Sequence, residues 1–470
     1  MRYVSTRGQA PELDFVGAML AGLARDGGLY VPVSWPSLDA KAIAGLAGRP
    51  YAEVAVEVMR PFVGDSIAEA DLARMAREAY GSFRHPATAP LVQLGDNLFV
   101  LELFHGPTLA FKDVAMQLLG RLMDHELKRR GQRATIVGAT SGDTGAAAIE
   151  AFAGLDQVDV FILYPHGRVS DVQRRQMTTV QSPNIHAIAL EGTFDDCQSI
   201  VKGLFNHHEF ADETSLSGVN SINWARVMAQ ASYYFTSAVA LGGPRRKISC
   251  TVPTGNFGDV LAGYIAKRMG LPIERLVIAT NANDILARTL ATGTYSLRGV
   301  EATQSPSMDI QISSNFERLL FEAHGRDSAA IRAQMDNLKQ SGHFSIAPGP
   351  LAAIRAEFDA GRADEAETSA EITRTWRESG YILDPHSAVG VAVARREQPK
   401  HPATPMVVLG TAHPAKFPDA VEKATGLRPH LPLHLADLLE RREHFTVLAN
   451  NQADIETFVR GKTRQKKVCG

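Results

Sequence analysis

The chain has 470 residues, of which 45% are hydrophobic and 21% are charged, and its formal net charge at pH 7 is -2. At about 100 to 200 residues per domain, this length predicts roughly two to four compact units with a large core. The composition is that of an ordinary globular protein and, with so small a charge, excludes nucleic acid as an expected partner.

A change of pattern near residue 94 separates the first two predicted regions. Residues 1–93 are interpreted as a mainly helical region, because LDFVGAMLAGLA has apolar residues at helical spacing and RDGGLYVP then interrupts the pattern. From residue 94, β-rich runs alternate with helical runs, namely NLFVLELF, DVAMQLLGRLMDHELKRRG, ATIVGAT, GAAAIEAFAG and VDVFILYP. Residues 94–216 are therefore expected to form a smaller α/β domain.

The alternation continues over residues 217–430, the expected larger α/β domain. NWARVMAQASYYFTSAVALGGP predicts a helix, and KISCTVPTG, RLVIAT and PMVVLGT predict strands. Residues 281–325 form a polar excursion that is longer than a connector requires, and we expect it to shape a site or a subunit contact. Residues 431–470 are expected to contain a C-terminal helix and a basic tail, RGKTRQKKVCG.

The fold class predicted from this alternation is α/β. Strands that alternate with helices favour a parallel sheet covered by helices on both faces, because each crossover helix must bury its apolar stripe against the sheet.

Cysteine spacing and the amino terminus indicate the compartment. Cys197, Cys250 and Cys469 are odd in number and far apart, which predicts neither a disulfide framework nor a zinc site. MRYVSTRGQAPELDF lacks the apolar segment of a signal peptide, and no apolar run approaches the roughly 20 residues of a membrane helix. We therefore expect a cytoplasmic protein without a membrane partner.

Three predicted strands end in turns that suit ligand binding. SGDTG (141–145) and GNFGD (255–259) each lead into a helix, and PMVVLG ends at Thr411. At the carboxyl ends of parallel strands, helix N-termini present free N–H groups to anions, and glycine allows close approach. The two glycine turns indicate two anion sites, although either turn alone is also typical of packing. GxxxxGK[ST] and GxGxxG motifs are missing, which argues against ATP and a dinucleotide.

Lys112 stands in HGPTLAFKD at the start of a predicted helix. Lysine is the common side chain that forms an imine with an aldehyde, and a helix start favours its uncharged amine. Taken alone, Lys112 reads more simply as a surface residue before a helix that Asp113 caps. A lysine, two anion turns and a hydroxyl at a strand end are together the parts that hold pyridoxal phosphate.

The sequence resembles the threonine synthase family, in its longer bacterial and fungal type. The segments that carry the resemblance are YVSTRG, RDGGLYVP, HGPTLAFKD, GATSGDTG, EGTFDDCQ, NSINWAR, PTGNFGD, MDIQISSNFERLLFE, DPHSAVG and LGTAHPAKF. The resemblance implies two parallel-sheet αβα domains of the fold type II pyridoxal-phosphate kind, similar to tryptophan synthase β, after an extra N-terminal helical region. It implies a lyase that uses pyridoxal 5'-phosphate to convert O-phospho-L-homoserine and water into L-threonine and phosphate, the last step of threonine biosynthesis.

The resemblance also assigns the residues that hold the cofactor. Lys112 matches the lysine that joins the cofactor aldehyde and then moves protons, and Thr411 matches the hydroxyl that faces the pyridine nitrogen. Asp143 stands where relatives outside the family have an asparagine that touches the ring hydroxyl. The cofactor-phosphate turn falls on Gly255, Asn256, Phe257, Gly258 and Asp259. The last position is often asparagine in relatives, so we expect a phosphate contact from its backbone N–H and not from its carboxylate.

The substrate positions follow from two further segments. Thr140, Ser141 and Thr144 resemble the residues that grip the substrate carboxylate. Ser221 and Arg226 match the positions that bind the substrate phosphate, although from spacing alone Arg226 fits the exposed face of a helix equally well.

Several polar residues near these segments receive no catalytic role. His105, His386 and His413 lie beside glycine or proline turns, and their spacing indicates no metal site. Three further polar residues stand at a predicted helix start, namely Asn315, Glu317 and Arg318. Helix capping and packing are the favoured interpretation of this set.

Two other functions remain open from the sequence. One is a threonine-synthase-like phospho-lyase that releases 2-oxobutyrate and ammonia, and the other is a silent binding protein that keeps the fold. The expected partner is the small molecule O-phospho-L-homoserine, and the expected assembly is a monomer or homodimer.

Overall fold

The computed structural model describes residues 1–464. Its strands are β1 (Arg2–Ser5), β2 (Leu13–Asp14), β3 (Tyr30–Pro32), β4 (Leu91–Gly95), β5 (Leu98–Glu102), β6 (Ala134–Ala139), β7 (Val158–Pro165), β8 (Ile185–Glu191), β9 (Leu216–Ser217), β10 (Ile248–Pro253), β11 (Ile273–Thr280), β12 (Thr294–Ser296), β13 (His343–Ser345), β14 (Phe358–Arg362), β15 (Met406–Gly410) and β16 (Thr446–Ala449).

Its α-helices are α1 (Phe15–Ala21), α2 (Ala40–Ala44), α3 (Tyr51–Val63), α4 (Glu69–Tyr80), α5 (Lys112–Arg130), α6 (Asp143–Phe152), α7 (Asp171–Thr178), α8 (Phe194–Asn206), α9 (His208–Glu213), α10 (Trp224–Ala240), α11 (Gly258–Arg268), α12 (Ile285–Thr292), α13 (Phe316–Ala323), α14 (Ser328–Ser341), α15 (Pro348–Glu357), α16 (Glu365–Ser379), α17 (Pro385–Glu397), α18 (Pro418–Thr425) and α19 (Gln452–Lys462).

Two mainly parallel sheets carry the fold. The six-stranded sheet has the order β14-β11-β10-β15-β5-β4, in which only the edge strand β4 runs antiparallel. The five-stranded sheet has the order β16-β8-β7-β6-β9 and is parallel throughout. Both β7 and β10 are buried along their whole length, as expected of parallel strands covered on two faces. The predicted α/β fold with two parallel sheets is confirmed.

Sheet membership does not follow the predicted regions at every point. β5 lies within the region predicted as the smaller domain, yet it pairs with β15 in the six-stranded sheet. β16 lies in the predicted C-terminal region and pairs with β8 in the five-stranded sheet. A short strand carries no sequence signal of the sheet that it joins, because pairing depends on distant partners. We propose that the smaller unit comprises β6 to β9 together with β16 and α19.

The end of the basic tail, residues 465–470 with Cys469, lies outside the described residues.

The N-terminal region combines α1 to α4 with an antiparallel sheet of order β2-β1-β3. It packs on the first turn of α10, where Trp224 is fully buried. The Trp224 indole donates a hydrogen bond of 3.0 Å to the Tyr3 hydroxyl, and the Phe62 ring centroid lies 5.7 Å from that of Trp224. Because Arg226 follows in the same turn, this packing fixes the direction from which Arg226 enters the interior.

Candidate active site

The site lies where strands of both sheets end. α6 begins at Asp143 after β6, α11 begins at Gly258 after β10, and Thr411 directly follows β15. α5 begins at Lys112, and nearly every residue of its first four turns is buried. Parallel strands place their carboxyl ends at one edge of a sheet, so the helices that follow them point their N-termini into a common space.

Lys112 is buried and is not the surface residue that its local sequence suggests. The chain folds back tightly before it, because Leu109 has a left-handed φ of 61°. Gly106 is required at the same turn, since a Cβ there would lie 2.5 Å from the Asp113 side chain. These two positions allow HGPTLAF to deliver a lysine at the first residue of a buried helix.

The Lys112 amine contacts two polar groups. Its Nζ lies 3.3 Å from Asp143 Oδ2 and 3.5 Å from Ser307 Oγ. Burial lowers the pKa of Lys112 more than the Asp143 carboxylate raises it, and the cations Lys416 and Arg226 lower it further. The site therefore shifts Lys112 toward the uncharged amine, which is the form that reacts with an aldehyde.

Asp143 is the centre of a buried polar cluster. Its Oδ1 accepts a hydrogen bond of 2.9 Å from Gln173 and lies 3.0 Å from Lys416 Nζ, while its Oδ2 faces Lys112. Burial alone would raise the pKa of Asp143, but the cations Lys416 and Lys112 hold it well below its usual range. Asp143 is thus a carboxylate at neutral pH.

Lys416 and Ser307 are site residues that the sequence analysis missed. Lys416 is fully buried in a short turn after β15. Ser307 belongs to the polar excursion 281–325, which was expected to shape either a site or a subunit contact. Its contact with Lys112 shows that the excursion contributes to the site. The Ser307 N–H donates to His386 Nε2 at 3.2 Å, so His386 helps to hold this loop over Lys112.

The GNFGD turn has the geometry of an anion cradle. Phe257 adopts a φ of 62°, and a Cβ at Gly255 would lie 2.8 Å from the carbonyl oxygen of Ser307. The Asn315 side chain donates to the Asn256 carbonyl at 2.9 Å, which directs that oxygen away from the cradle. As at any helix start, the first N–H groups of α11 have no partner within the helix, so they are free to bind an anion.

Asp259 turns its carboxyl group into the core. Its Oδ1 accepts hydrogen bonds from Tyr233 and, at 3.2 Å, from Tyr234. Burial raises the pKa of Asp259 to about 7, although both tyrosines and Lys112 act in the opposite direction. The two tyrosines therefore hold Oδ1 in the core, while Oδ2 has no partner among the described residues, and a phosphate contact from the backbone N–H of Asp259 stays a prediction.

Asp259 gives a prediction about stability and pH. Its folded pKa of about 7 lies above its unfolded value, so the stability from its neutral form is present at low pH and is lost as pH rises through about 7. Asp259→Asn removes this loss. Between pH 5 and pH 8, the free energy of unfolding of the parent protein should fall by roughly 2–3 kcal/mol relative to that of the variant.

The measurement is the melting temperature of both holoenzymes across that pH range. Asp336→Asn, at an exposed position of α14, is the matched control and should leave the pH profile unchanged. Parallel profiles for Asp259→Asn and the parent protein would contradict the prediction.

Thr411 presents a free hydroxyl to the site. Its backbone N–H donates to Ser387 Oγ at 3.1 Å, and Asp384 accepts from Ser387 and lies 2.9 Å from His386 Nδ1. Among the described residues, the buried Thr411 Oγ1 has no hydrogen-bond partner. A buried hydroxyl without a partner is costly, so this position suits a ligand with a polar ring atom.

The SGDTG turn is held by the threonine that directly precedes it, Thr140. Thr140 Oγ1 accepts hydrogen bonds of 2.9 Å from the backbone N–H groups of both Gly142 and Gly145. Thr140 therefore holds the turn, and its direct contact with substrate stays a prediction. Ser141 and Thr144 are half-buried at the start of α6, where an anion would meet the helix N-terminus.

Arg226 is buried, which rules out the exposed helix face as its position. Its Nη1 donates to the Val219 carbonyl at 3.0 Å, and its buried Nε has no partner among the described residues. Burial lowers the pKa of Arg226 to about 10, which leaves it a cation at neutral pH. Asn315 links this segment to the GNFGD turn, because its side chain also donates to the Ser221 carbonyl at 3.2 Å.

The remaining histidines have structural partners. His105 Nε2 lies 2.7 Å from Glu102, and His413 Nδ1 accepts from the Ala415 N–H at 3.1 Å. Burial lowers the pKa of His413 to about 4. Within residues 1–464, no group of three or more His, Cys, Asp or Glu side chains is placed to hold a metal ion.

The set at the start of α13 anchors neighbouring segments. Glu317 accepts hydrogen bonds from Thr6 at 2.6 Å and from Arg7 at 3.0 Å, which ties the YVSTRG segment to α13. Asn315 and Arg318 bond backbone carbonyls of other segments, so packing is the role that the contacts support.

Solved structures resemble this chain over almost its whole length. Threonine synthase from Brucella melitensis, determined with pyridoxal phosphate bound, is 64% identical with a TM-score of 0.97, covering 99% of this chain and 100% of that chain. Threonine synthase from yeast is 40% identical with a TM-score of 0.93, covering 98% of each chain. The curated threonine synthase of Pseudomonas aeruginosa is 55% identical over 460 residues, 98% of either chain.

Three sequence-family models match successive parts of the chain. Residues 84–411 match the family described as pyridoxal-phosphate dependent enzyme. Three features of residues 1–464 fit that cofactor: the lowered pKa of the Lys112 amine, the cradle before α11 and the Thr411 hydroxyl without a hydrogen-bond partner. The chain is a pyridoxal-phosphate-dependent enzyme of fold type II. Residues 2–80 match the threonine synthase N terminus, and residues 387–459 match the threonine synthase C-terminal family. The chain belongs to the threonine synthase family, as its motifs predicted.

Among residues 1–464, each helix is too short or too polar to cross a membrane.

Proposed function

We propose that the chain converts O-phospho-L-homoserine and water into L-threonine and phosphate. The observation that carries this proposal is the buried cation Arg226, whose Nε has no partner within residues 1–464 and whose charge acts electrostatically on Lys112. A phosphate leaving group carries two negative charges and must be held and neutralised while its bond breaks. An amino acid with a phosphate at its far end satisfies both the lysine and the arginine.

Particular side chains carry out the proposed steps. When bound, pyridoxal phosphate supplies an aldehyde and an electron-withdrawing ring. The Lys112 amine removes the proton at the substrate Cα and then a proton at Cβ, so that phosphate can leave from Cγ. Ser221 and Arg226 bind that phosphate as it departs. Water adds at Cβ, and protons return to Cα and Cγ, which completes threonine.

The cofactor is proposed to sit between the elements that follow β10 and β15. The backbone of the GNFGD turn receives its phosphate, with Gly255, Asn256, Phe257, Gly258 and the N–H of Asp259 around it. Thr411 would hold the ring nitrogen through its hydroxyl, and a neutral hydroxyl would not force a proton onto that nitrogen. Asp143 would be the residue next to the ring hydroxyl. The N-terminus of α6, with Ser141, Thr144 and the turn that Thr140 holds, would receive the substrate carboxylate.

Product analysis tests the proposal. The holoenzyme with O-phospho-L-homoserine should release threonine and phosphate in equal amounts, and L-homoserine, which lacks the phosphate, should give no threonine. A phospho-lyase would yield 2-oxobutyrate and ammonia in place of threonine. Either that product or no phosphate release would overturn the proposal.

Assembly and location are proposed on other grounds. The site groups Lys112, Asp143 and Thr411 come from one chain, which supports activity as a monomer or homodimer, and light scattering would measure the mass. Cys197 and Cys250 are buried free thiols, and such thiols support a reducing, cytoplasmic location.

A further inference from the structure

Lys416 is a second buried lysine within the same cluster as Lys112. Its Nζ donates hydrogen bonds of 2.6 Å to the Thr108 carbonyl and 2.9 Å to Gln176 Oε1, and lies 3.0 Å from Asp143 Oδ1. An ammonium group has three N–H donors, so these three acceptors satisfy it completely. Among residues 1–464, Lys112 Nζ has by contrast two longer polar contacts, 3.3 Å to Asp143 and 3.5 Å to Ser307, and lies 4.8 Å from the centroid of the Phe111 ring.

The difference decides which lysine keeps its proton. Asp143 is a single buried carboxylate that lies between two lysines, and a buried carboxylate without a cation is strongly unfavourable. If Lys112 were its only partner, Lys112 would have to remain charged and could not serve as an amine. Lys416 supplies the required positive charge from the other carboxylate oxygen.

We propose that Lys416 is a positioning residue that neutralises Asp143, so that Lys112 can give up its proton without leaving a buried charge unpaired. This inference rests on the proposed role of Lys112 and concerns the same site. Gln176 also donates to the Thr108 carbonyl at 3.0 Å, and the Thr108 N–H donates to Asp113 at 2.8 Å. The network therefore joins Lys416 to the turn that delivers Lys112.

Charged and titratable groups from several elements face Lys112 and Asp143. Those that act on Lys112 are Asp143 from α6, Lys416 from the turn after β15, Arg226 from α10 and Asp259 from α11. His386 from α17 acts on Asp143 as well, and the two further titratable groups on which Lys416 acts are Asp113 from α5 and His413 from the turn after β15. Arg226 and Asp259 are unchanged in a Lys416 variant, so a change in the behaviour of Lys112 reports the loss of the Lys416 charge.

The test measures how readily the full-length chain, freed of cofactor, takes up pyridoxal phosphate as a function of pH. Uptake is followed by visible absorption, and borohydride trapping with peptide mass spectrometry locates the adduct. In Lys416→Met the pH of half-maximal uptake rate should rise by about one to two units, because a like charge near Lys112 has been removed. Asp143→Asn should move the same midpoint downward, because it removes the opposite charge.

A second variant and a control keep the test decisive. Lys416→Gln should reproduce the upward shift if Lys416→Met folds poorly, and Lys423→Met, at an exposed lysine of α18, should leave the midpoint unchanged. A merely structural defect would slow uptake at every pH without moving the midpoint. If the parent protein traps no adduct at Lys112, the proposed function fails. If it does, and the Lys416 and Asp143 variants keep the parent midpoint, only this inference is overturned.

Discussion

Lys112→Ala is expected to lower turnover by at least ~1,000-fold, within the range for loss of a positioned proton-transfer group. The same variant should lose the borohydride-trapped adduct in peptide mass spectrometry. The structural reason is that the amine is buried beside a single carboxylate, in a setting that lowers its pKa. Within residues 1–464, Lys416 is the other buried lysine of the cluster, and its three hydrogen-bond acceptors hold its amine in place.

Lys112→Arg separates chemistry from charge. Arginine keeps a cation beside Asp143 but cannot react with an aldehyde, so this variant should be as inactive as Lys112→Ala while melting closer to the parent protein. Lys128→Ala, at an exposed position of the same helix, is the matched control and should retain full activity. Substantial threonine formation by Lys112→Arg would contradict the assignment of Lys112.

The parts of the site that follow strands were predictable from sequence. ATIVGAT, KISCTVPTG and PMVVLGT are compact apolar runs, and each is a strand of a parallel sheet in the structure. Because parallel strands share a direction, the residues just after them converge at one edge whatever the rest of the fold does. Asp143, Gly258 and Thr411 are such residues. Asp143 lies 3.3 Å from Lys112, the Thr411 carbonyl accepts from the N–H of Phe111 at 2.9 Å, and Asp259, which follows Gly258, interacts electrostatically with Lys112.

Elements stabilised by distant partners were not predictable. β14, with the sequence FDAGR, contains residues that disfavour strands, yet it pairs with β11 and is held by the ion pair of Arg275 with Asp359 at 2.7 Å. Lys416 lies in a three-residue turn that shows no periodicity, and its partners Thr108 and Gln176 are far away in sequence. Periodicity reports only on neighbours along one element, so neither contact leaves a local signal.

Two buried arginines near the site, Arg226 and Arg318, also have contacts that the local sequence does not reveal. Arg318 donates to the Tyr30 carbonyl at 3.0 Å and to the Ile222 carbonyl at 2.7 Å, so its guanidinium is committed to packing. Arg226 donates to one carbonyl and, within residues 1–464, keeps an unpartnered Nε. Each is the third residue of its helix, and only the three-dimensional contacts distinguish a structural arginine from one that is available to a ligand.

Because Arg226 is free to bind a ligand, replacing it should have the second large effect on catalysis. Arg226→Met keeps a long apolar stem but removes the cation, and it is expected to lower kcat/KM for O-phospho-L-homoserine by ~100- to 1,000-fold, the range for loss of one group that stabilises developing charge. Inorganic phosphate should inhibit the parent protein and fail to inhibit the variant. The trapped adduct at Lys112 should persist, because the cofactor turn lies on a different helix start.

The control for this change is Arg245→Met, at an exposed arginine after the end of α10, which should leave kcat/KM unaltered. Arg318→Met should instead lower the melting temperature, because it removes hydrogen bonds from the backbone carbonyls of Tyr30 and Ile222, which lie in two different segments. This contrast separates binding from folding, since Arg226→Met should melt near the parent temperature once its charge, already destabilised by burial, is gone. If Arg226→Met kept both its turnover and its inhibition by phosphate, the leaving group would have to be held elsewhere, and Arg226 would be one more packing residue on α10.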